Sequence, residues 1–518
     1  MSVNQTESTG PTELDVLIVG AGLSGIGAAC HLVRETKGKT FAVLERRDAI
    51  GGTWDLFRYP GIRSDSDMLT FGYNFRPWVG TKVLADGPHI KQYVEETATE
   101  YGVTEHIRFG RRVVKASWSS ETGRWTVEAE VDGEREVYSA QFLVGASGYY
   151  NYDEGYAPTF PGQEDFRAAG GQIVHPQFWP EDLDYAGKQV VVIGSGATAI
   201  TLIPAMSTGE GAAGHVTMLQ RSPSYIMAVP AHDPVAVPLS KLRVPVNAVY
   251  RSGRTRNIVL QQAIYKLCRK QPALARKVLL AAIRAQLGPD VDMKHFTPSY
   301  DPWDERLCVV PNGDLFRVLR RGQASIVTDH IDHFTATGIK LKSGEELPAD
   351  IVVSATGLQI QLAGGAEVEV DGQRINTRDQ LLYKGVLMEG VPNALFVIGY
   401  TNASWTLKAD LASEYFCRLI NHMDANGHTQ VVPVAAADDR DEVSMMGDSM
   451  RSGYIQRGDA IMPRQGKKAP WKIRNDYFRD APVLRRARIA TPELKFSDGP
   501  APAAAPAASG DGVGAGVG

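Results

Sequence analysis

A strand, a glycine-rich turn and a helix occur twice in this chain, and that repetition limits the possible fold more than any other feature. DVLIV (15–19) runs into GAGLSG (20–25), an alanine-rich stretch to about Arg34, and TFAVLE (40–45). QVVVI (189–193) runs into GSGATA (194–199), a short helix reaching Pro204, and HVTMLQ (215–220). Each is a βαβ unit, and the two glycine turns open 174 residues apart, at Gly20 and Gly194. Parallel strands need helical crossovers, so the expected class is α/β, built from two Rossmann-like dinucleotide-binding domains.

The turns also carry chemistry. Gly20, Gly22 and Gly25 permit a tight turn, approach of a pyrophosphate to backbone N–H groups, and close packing of helix on strand. Glu45, ending the second strand, can accept hydrogen bonds from both ribose hydroxyls, so FAD is expected here. In the second unit Gly194, Gly196 and Ala199 hold the equivalent places, but the strand runs into Arg221 and Ser222 where NAD would want an acid. Arg221 can pair with a 2′-phosphate, which favours NADPH, with the residues Ser195, Ala197, Thr198 and Ile200 completing the turn. A purely structural turn and a solvated arginine are the plain readings of the same residues. Two dinucleotide sites imply hydride transfer from NADPH to a flavin. No C-x-x-C is present to take the electrons and no Cys/His cluster is spaced for a metal, which leaves dioxygen or a diffusible acceptor.

Composition narrows the partners. The 518 residues carry a formal charge of -4, so no global basic field exists for a nucleic acid. The four cysteines (Cys30, Cys268, Cys308, Cys417) show no disulfide or zinc pattern. The first residues lack an export signal and no apolar run is long enough to span a bilayer, so a cytoplasmic protein is expected. Residues 241–288 hold eleven lysines and arginines and no acid, with Val259, Leu260, Ala263, Ile264, Leu267 and Cys268 in helical register. Amphipathic helices are expected there, most simply with a solvated face over a substrate cavity; peripheral contact with anionic lipid and packing on another subunit are the alternatives, and the oligomeric state is not legible. From Ser497 the chain is almost entirely Ala, Pro, Gly, Asp and Ser, and is expected to be disordered.

A family resemblance joins these features. GGTWDLFRYPGIRSD (51–65) is similar to the G-x-W-x-x-x-x-[F/Y]-P-[G/M]-x-x-x-D signature of class B flavoprotein monooxygenases, with Gly52, Trp54, Tyr59, Pro60, Gly61 and Asp65 in register. GQIVHPQFWP (171–180) resembles the Baeyer–Villiger monooxygenase fingerprint at Gly171, His175, Trp179 and Pro180, with Ala169 where that fingerprint opens on Phe. PWDERLCVVPNGDLF (302–316) and GYTNASWTLKADL (399–411) resemble the bacterial ethionamide-activating group of that family.

The resemblance implies an FAD-binding domain (11–155, resuming at 358–496) interrupted by an NADPH-binding domain (161–228 and 306–357), which itself carries a helical insertion (229–305), with 497–518 as the tail. It implies a C4a-peroxyflavin that inserts oxygen beside a ketone carbonyl or oxidises sulfur in thioethers and thioamides, from O2 and a small-molecule substrate. It assigns catalysis to Arg306, stabilising negative charge on oxygen, and to Asp65, orienting that arginine. Ser24, Thr53, Trp54, Asp55, Leu56 and Val113 are implied flavin contacts, and Arg63 and Ser64 lie near NADP. The His175 and Trp179 fingerprint is implied to be a linker between domains, with proton transfer by His175 as an alternative; their spacing would place them on one face if the segment is helical. Glu305 replaces a lysine of the ketone-oxidising relatives, which shifts NADPH selectivity onto Arg221 and Ser222. The rival readings are a flavin N-hydroxylase, an uncoupled NADPH oxidase, and a non-catalytic flavin-binding protein at a membrane surface.

Overall fold

Strands buried on both faces read as unbroken apolar runs, and those strands form the centres of two sheets in the computed structural model, which describes residues 11–289, 291–447 and 451–498. In the first sheet Ile107–Arg108, Phe41–Leu44, Thr12–Val19 and Glu134–Gly145 lie side by side in parallel. Glu134–Gly145 then divides its free edge. Its first half pairs antiparallel with Arg124–Val131, and its last residues pair parallel with Ala394–Phe396. Arg124–Val131 alternates buried and exposed residues, as a strand with one solvated face must. Arg112–Ser119 and Glu367–Val370 extend the same edge. The second sheet is wholly parallel, in the order Ala324–Thr328, His215–Gln220, Gln189–Ile193, Ile351–Ser354, Gln172–Val174.

The helix after the first glycine turn, Leu23–Glu35, packs on the 22-residue helix Trp405–Asn426, so residues late in the chain close over the first sheet. The helix of the second unit, Ala197–Met206, runs two residues beyond Pro204, where it was expected to stop. Burial explains this, because Ile203 and Met206 sit wholly inside the second core and that gain outweighs the lost N–H of Pro204. Ser497 corrects the expected start of the tail: it pairs with Gln430 at the end of the strand Leu494–Ser497. The remainder of the tail, from 499, lies outside the described residues.

Between the paired strands Ile226–Val229 and Cys308–Pro311 the chain forms the helices Ala236–Lys241, Val246–Lys270 and Pro272–Leu287. Of the stripe its sequence suggests, the long helix fully buries only Cys268. Its inward face carries Tyr250, Arg254, Ile258, Gln262 and Cys268, while Val259, Leu260, Ala263 and Leu267 are exposed. Arg254 explains the inversion. Its guanidinium donates to the carbonyls of Leu69, Thr70 and Gly72 and pairs with Asp410 at 3.2 Å, clamping the insertion to the first domain through otherwise unpaired acceptors.

Asp410 also meets His31, which is fully buried between the two packed helices and bonded to Glu35 at 2.6 Å and Asp410 at 3.2 Å. Burial alone would lower the pKa of His31, but its two carboxylate partners outweigh burial and raise it to about 9. Arg34 and Arg254 are the cations nearest those carboxylates. A histidine pKa raised on folding stabilises fully below about 6.5, its usual value, and that contribution is lost as pH rises through about 9. Urea denaturation is expected to show the wild type losing on the order of 2 kcal/mol across that window, with His31→Gln showing a flatter profile. Equal slopes would contradict the assignment.

Candidate active site

Two glycine turns and one loop meet at a cavity of about 290 Å3. From the first turn come Gly22, Leu23 and Ser24; from the loop after it Thr53, Trp54, Arg63, Ser64 and Asp65; from the second turn Ala197 and Thr198; and from the loop that leads into the strand Cys308–Pro311, Arg306. A narrower arm continues from Gly22 and Gly52 past Gly20 and Glu45 to Val113. The first turn is made by close approach: a Cβ on Gly25 would stand 1.8 Å from the carbonyl oxygen of Gly20. Its helix begins at Gly22 with no side-chain cap, so the free N–H groups of the first turn can receive an anion.

Glu45 closes the narrow arm. Its carboxylate accepts from the N–H of Ala21 at 2.7 Å and of Arg47 at 2.9 Å, and burial raises its pKa against those two bonds. Ser24 accepts from the indole N–H of Trp405 at 2.8 Å, Thr53 shares a hydrogen bond of 2.7 Å with the Tyr150 hydroxyl, and Trp54 meets Phe71 edge-on. Two neighbours turn away. The Asp55 side chain is buried among Arg47, Lys91 and Arg58, with bonds of 2.8 Å from Arg47 and 2.7 Å from Lys91. Leu56 faces a separate depression beside Arg46 and Trp179. Neither side chain lines the cavity: ion pairing holds the first, and the second is buried at the separate depression.

The second turn presents a different surface. A Cβ on Gly194, at φ +142°, would stand 2.3 Å from the carbonyl of Ala355, whereas one on Gly196 would meet no heavy atom within 4 Å. Gly196 therefore faces open space at the uncapped start of Ala197–Met206. Ser195 bonds to the Ser224 hydroxyl at 3.1 Å. Ala199 and Ile200 point the other way, wholly buried in the second core, so only their backbone can serve a ligand. Arg221 is exposed at the end of its strand beside Ser222, near enough to Glu305 to oppose the rise that burial imposes on that acid's pKa. Arg63 is held by Asp314 at 2.6 Å, and Ser64 folds onto Ser66 at 2.9 Å.

Arg306 and Asp65, 241 residues apart, form a two-pronged pair: Nη2 to Oδ1 at 3.0 Å and Nε to Oδ2 at 2.8 Å. The Asp65 carboxylate raises the pKa of the Arg306 guanidinium, which stays charged throughout. The loop before Arg306 is pinned on both sides, by Arg269 to Asp304 at 2.7 Å and by the N–H of Arg451 to the Asp304 carbonyl at 2.6 Å. Trp303 is held there at φ +72°, a strained setting for a bulky side chain. The pair lines the 290 Å3 cavity and also a second, apolar cavity of about 410 Å3, walled by residues such as Met227, Val229, Leu260, Ile264 and Leu307.

His175 and Trp179 do not share a helical face. Gln172–Val174 is a strand and Pro176–Phe178 a single 3-10 turn, whose first N–H groups are partly capped by the His175 Nδ1 accepting from Gln177. Pro176 prevents the expected helix from continuing back through His175. The His175 ring lies against Gly155, in the link between the two domains. Sequence reading missed the segment after 450. Its short helix Gly453–Gly458 brings Tyr454 beside Arg306 and Asp65. It also brings Arg457 onto the Tyr156 ring at 3.4 Å, with Nη2 donating to the Leu358 carbonyl at 3.4 Å. Burial lowers the Arg457 pKa, and the positive charge of Arg221 lowers it further. No glycine pattern or signature marks that segment.

Among the described residues no helix is long and apolar enough to cross a membrane. The model of the flavin-binding monooxygenase-like family matches residues 83–433, and that of an NAD(P)-binding Rossmann-like domain matches residues 18–96. The chain is 56% identical to MymA of Mycobacterium tuberculosis, over 93% of this chain and 97% of that one. It is 51% identical to the FAD-containing monooxygenase EthA of the same organism, over 94% of this chain and 99% of that one. Among solved structures, an oxidized steroid monooxygenase bound to NADP superposes with a TM-score of 0.74 at 23% identity, covering 94% of this chain and 100% of the other. An open crystal structure of cyclohexanone monooxygenase gives 0.72 at 21% identity, with the same coverage. At that identity these two likenesses speak to the fold, with its two dinucleotide-binding domains.

Proposed function

The chain belongs to the flavin-binding monooxygenase-like family, and from that premise we propose that it is an FAD-dependent, NADPH-consuming oxygenase of Baeyer–Villiger type, acting on ketones and on soft sulfur. One observation carries the reading: both glycine turns and the Arg306–Asp65 pair line a single cavity, so two dinucleotides held by those turns would meet beside one fixed positive charge. The residues suit both groups. Gly22, Ser24, Thr53, Trp54 and, along the narrow arm, Gly20, Glu45 and Val113 would hold FAD; Gly196, Ala197, Thr198, Arg63, Ser64, Arg221 and Ser222 would hold NADPH. When bound and reduced, the flavin supplies the electrons that activate dioxygen. In balance, a ketone, O2, NADPH and a proton give an ester or lactone, NADP+ and water; a thioether gives its sulfoxide with the same co-products.

This chain's own residues perform the rest. Arg306 presents a permanent charge to negative oxygen as it develops, and it costs no reorganisation because Asp65 already fixes its plane. The apolar cavity on the far side of the pair excludes water and receives the substrate, which strengthens that charge's effect. The positive charges of Arg221 and Arg457 oppose one another, and a phosphate bound by both would relieve that repulsion. Arg457→Ala and Arg221→Ala are each expected to raise the KM for NADPH about tenfold, with kcat little changed and the KM for NADH hardly moved. Equal effects on the two nucleotides would remove the phosphate role. The reading as a whole is tested by anaerobic reduction with NADPH, then mixing with oxygen and product analysis on one ketone and one thioether. Bleaching of a yellow protein by NADPH followed by oxygenated product is expected; peroxide alone would make the protein an oxidase.

A further inference from the structure

The outer face of the helical insertion exposes large apolar side chains among its cations. On Val246–Lys270, Val259, Leu260 and Leu267 are exposed, Leu260 by 54%; on Pro272–Leu287, Leu274 and Val278 are exposed, Val278 by 56%. Single apolar residues on a surface are ordinary, but a row of them over two joined helices marks a contact face. The same insertion carries Lys241, Arg243, Arg251, Lys270 and Lys277, exposed and without a carboxylate partner among the described residues. A third observation fixes the sense of the face. Val235 and Leu260, both exposed, also wall the apolar cavity that ends at Arg306 and Asp65, so that cavity opens here.

We propose that this face docks on an anionic lipid surface, with the apolar side chains entering the headgroup boundary and the lysines and arginines meeting lipid phosphates. The cavity mouth then lies at the interface, and an apolar substrate dissolved in lipid reaches Arg306 without crossing bulk water. That last step rests on the oxygenase reading; the docking does not. A second copy of the chain is the poorer occupant, because a two-fold interface would set these cations against their own images with no acid from residues 241–288 to offset them.

The test floats the full-length flavoprotein with vesicles of mixed phosphatidylglycerol and phosphatidylcholine, or of phosphatidylcholine alone, at about 50 and about 500 mM salt. Recovery with the anionic vesicles at low salt, lost at high salt and on neutral vesicles, is expected. The pairs Leu267→Asp/Val278→Asp and Lys270→Glu/Lys277→Glu should each cut vesicle partition at least about tenfold, with NADPH oxidation on a water-soluble ketone unchanged. No flotation at low salt, or charge-reversed protein that floats as well as the wild type, overturns the proposal. So does a dimer, seen by light scattering, that the aspartate pair dissociates. Colourless protein that floats in this salt-dependent way would support the docking face and count against the flavin reading.

Discussion

Arg306→Ala is expected to lower oxygenated product by about 10²–10³-fold while NADPH still reduces the flavin at close to the wild-type rate. The two halves separate because the guanidinium touches Asp65 and both cavities, whereas the second glycine turn and Arg221 follow strands of the second sheet, to which Arg306 does not belong. Electrons would still enter, and oxygen would leave as hydrogen peroxide. Alanine also strips Asp65 of its two-pronged partner, leaving a negative carboxylate where negative charge must develop, so the loss should exceed that of Arg306→Lys, which keeps the charge without the fork. Stopped-flow reduction and product yield, measured on one preparation, check both halves. Ester made at the normal rate would take this role away from Arg306.

The second large effect is expected at Gly196→Ala. Nothing lies within 4 Å of the added Cβ, so the fold has no reason to resist it, and the melting temperature should stay within about a degree of the wild type. The same methyl group would occupy the space in which a pyrophosphate approaches the start of Ala197–Met206. The KM for NADPH in flavin reduction should rise by about ten- to a hundred-fold. Gly25→Ala gives the opposite pattern: its Cβ would stand 1.8 Å from the Gly20 carbonyl, so the first turn must deform, and the expected product is unstable protein depleted of flavin. A Gly196 variant that melts early yet binds NADPH normally would reduce the second turn to a structural bend.

These contrasts show what one sequence can and cannot carry. The glycine turns were legible because their positions follow from local geometry, which any chain approaching a pyrophosphate this closely must satisfy. Glu45 and Arg221 followed from where each strand ends. Arg306 and Asp65 were not legible by spacing, since only folding brings residues 241 positions apart into contact; the family resemblance supplied them. Asp55 and Leu56 lie inside a loop that resembles the family's flavin-contacting segment, yet Lys91 and Arg47 draw the first aside and the second lines a separate depression. The insertion misled for a related reason. Its apolar residues keep helical register, but Arg254 found carbonyl acceptors and Asp410 on the first domain, and that polar contact turned Val259, Leu260, Ala263 and Leu267 outward. Tyr454 and Arg457 carry no local pattern at all, because a helix of six residues comes near Arg306 and Arg221, far away in sequence, only through folding.

Turnover of a cyclic ketone under 18O2, with NADPH consumption followed alongside, measures the central claim most directly. The account predicts one labelled oxygen atom in each ester or lactone molecule, the second atom leaving as water, and one NADPH consumed per product. Unlabelled product, or NADPH oxidation that yields labelled peroxide and no ester or sulfoxide from any ketone or thioether, would contradict it.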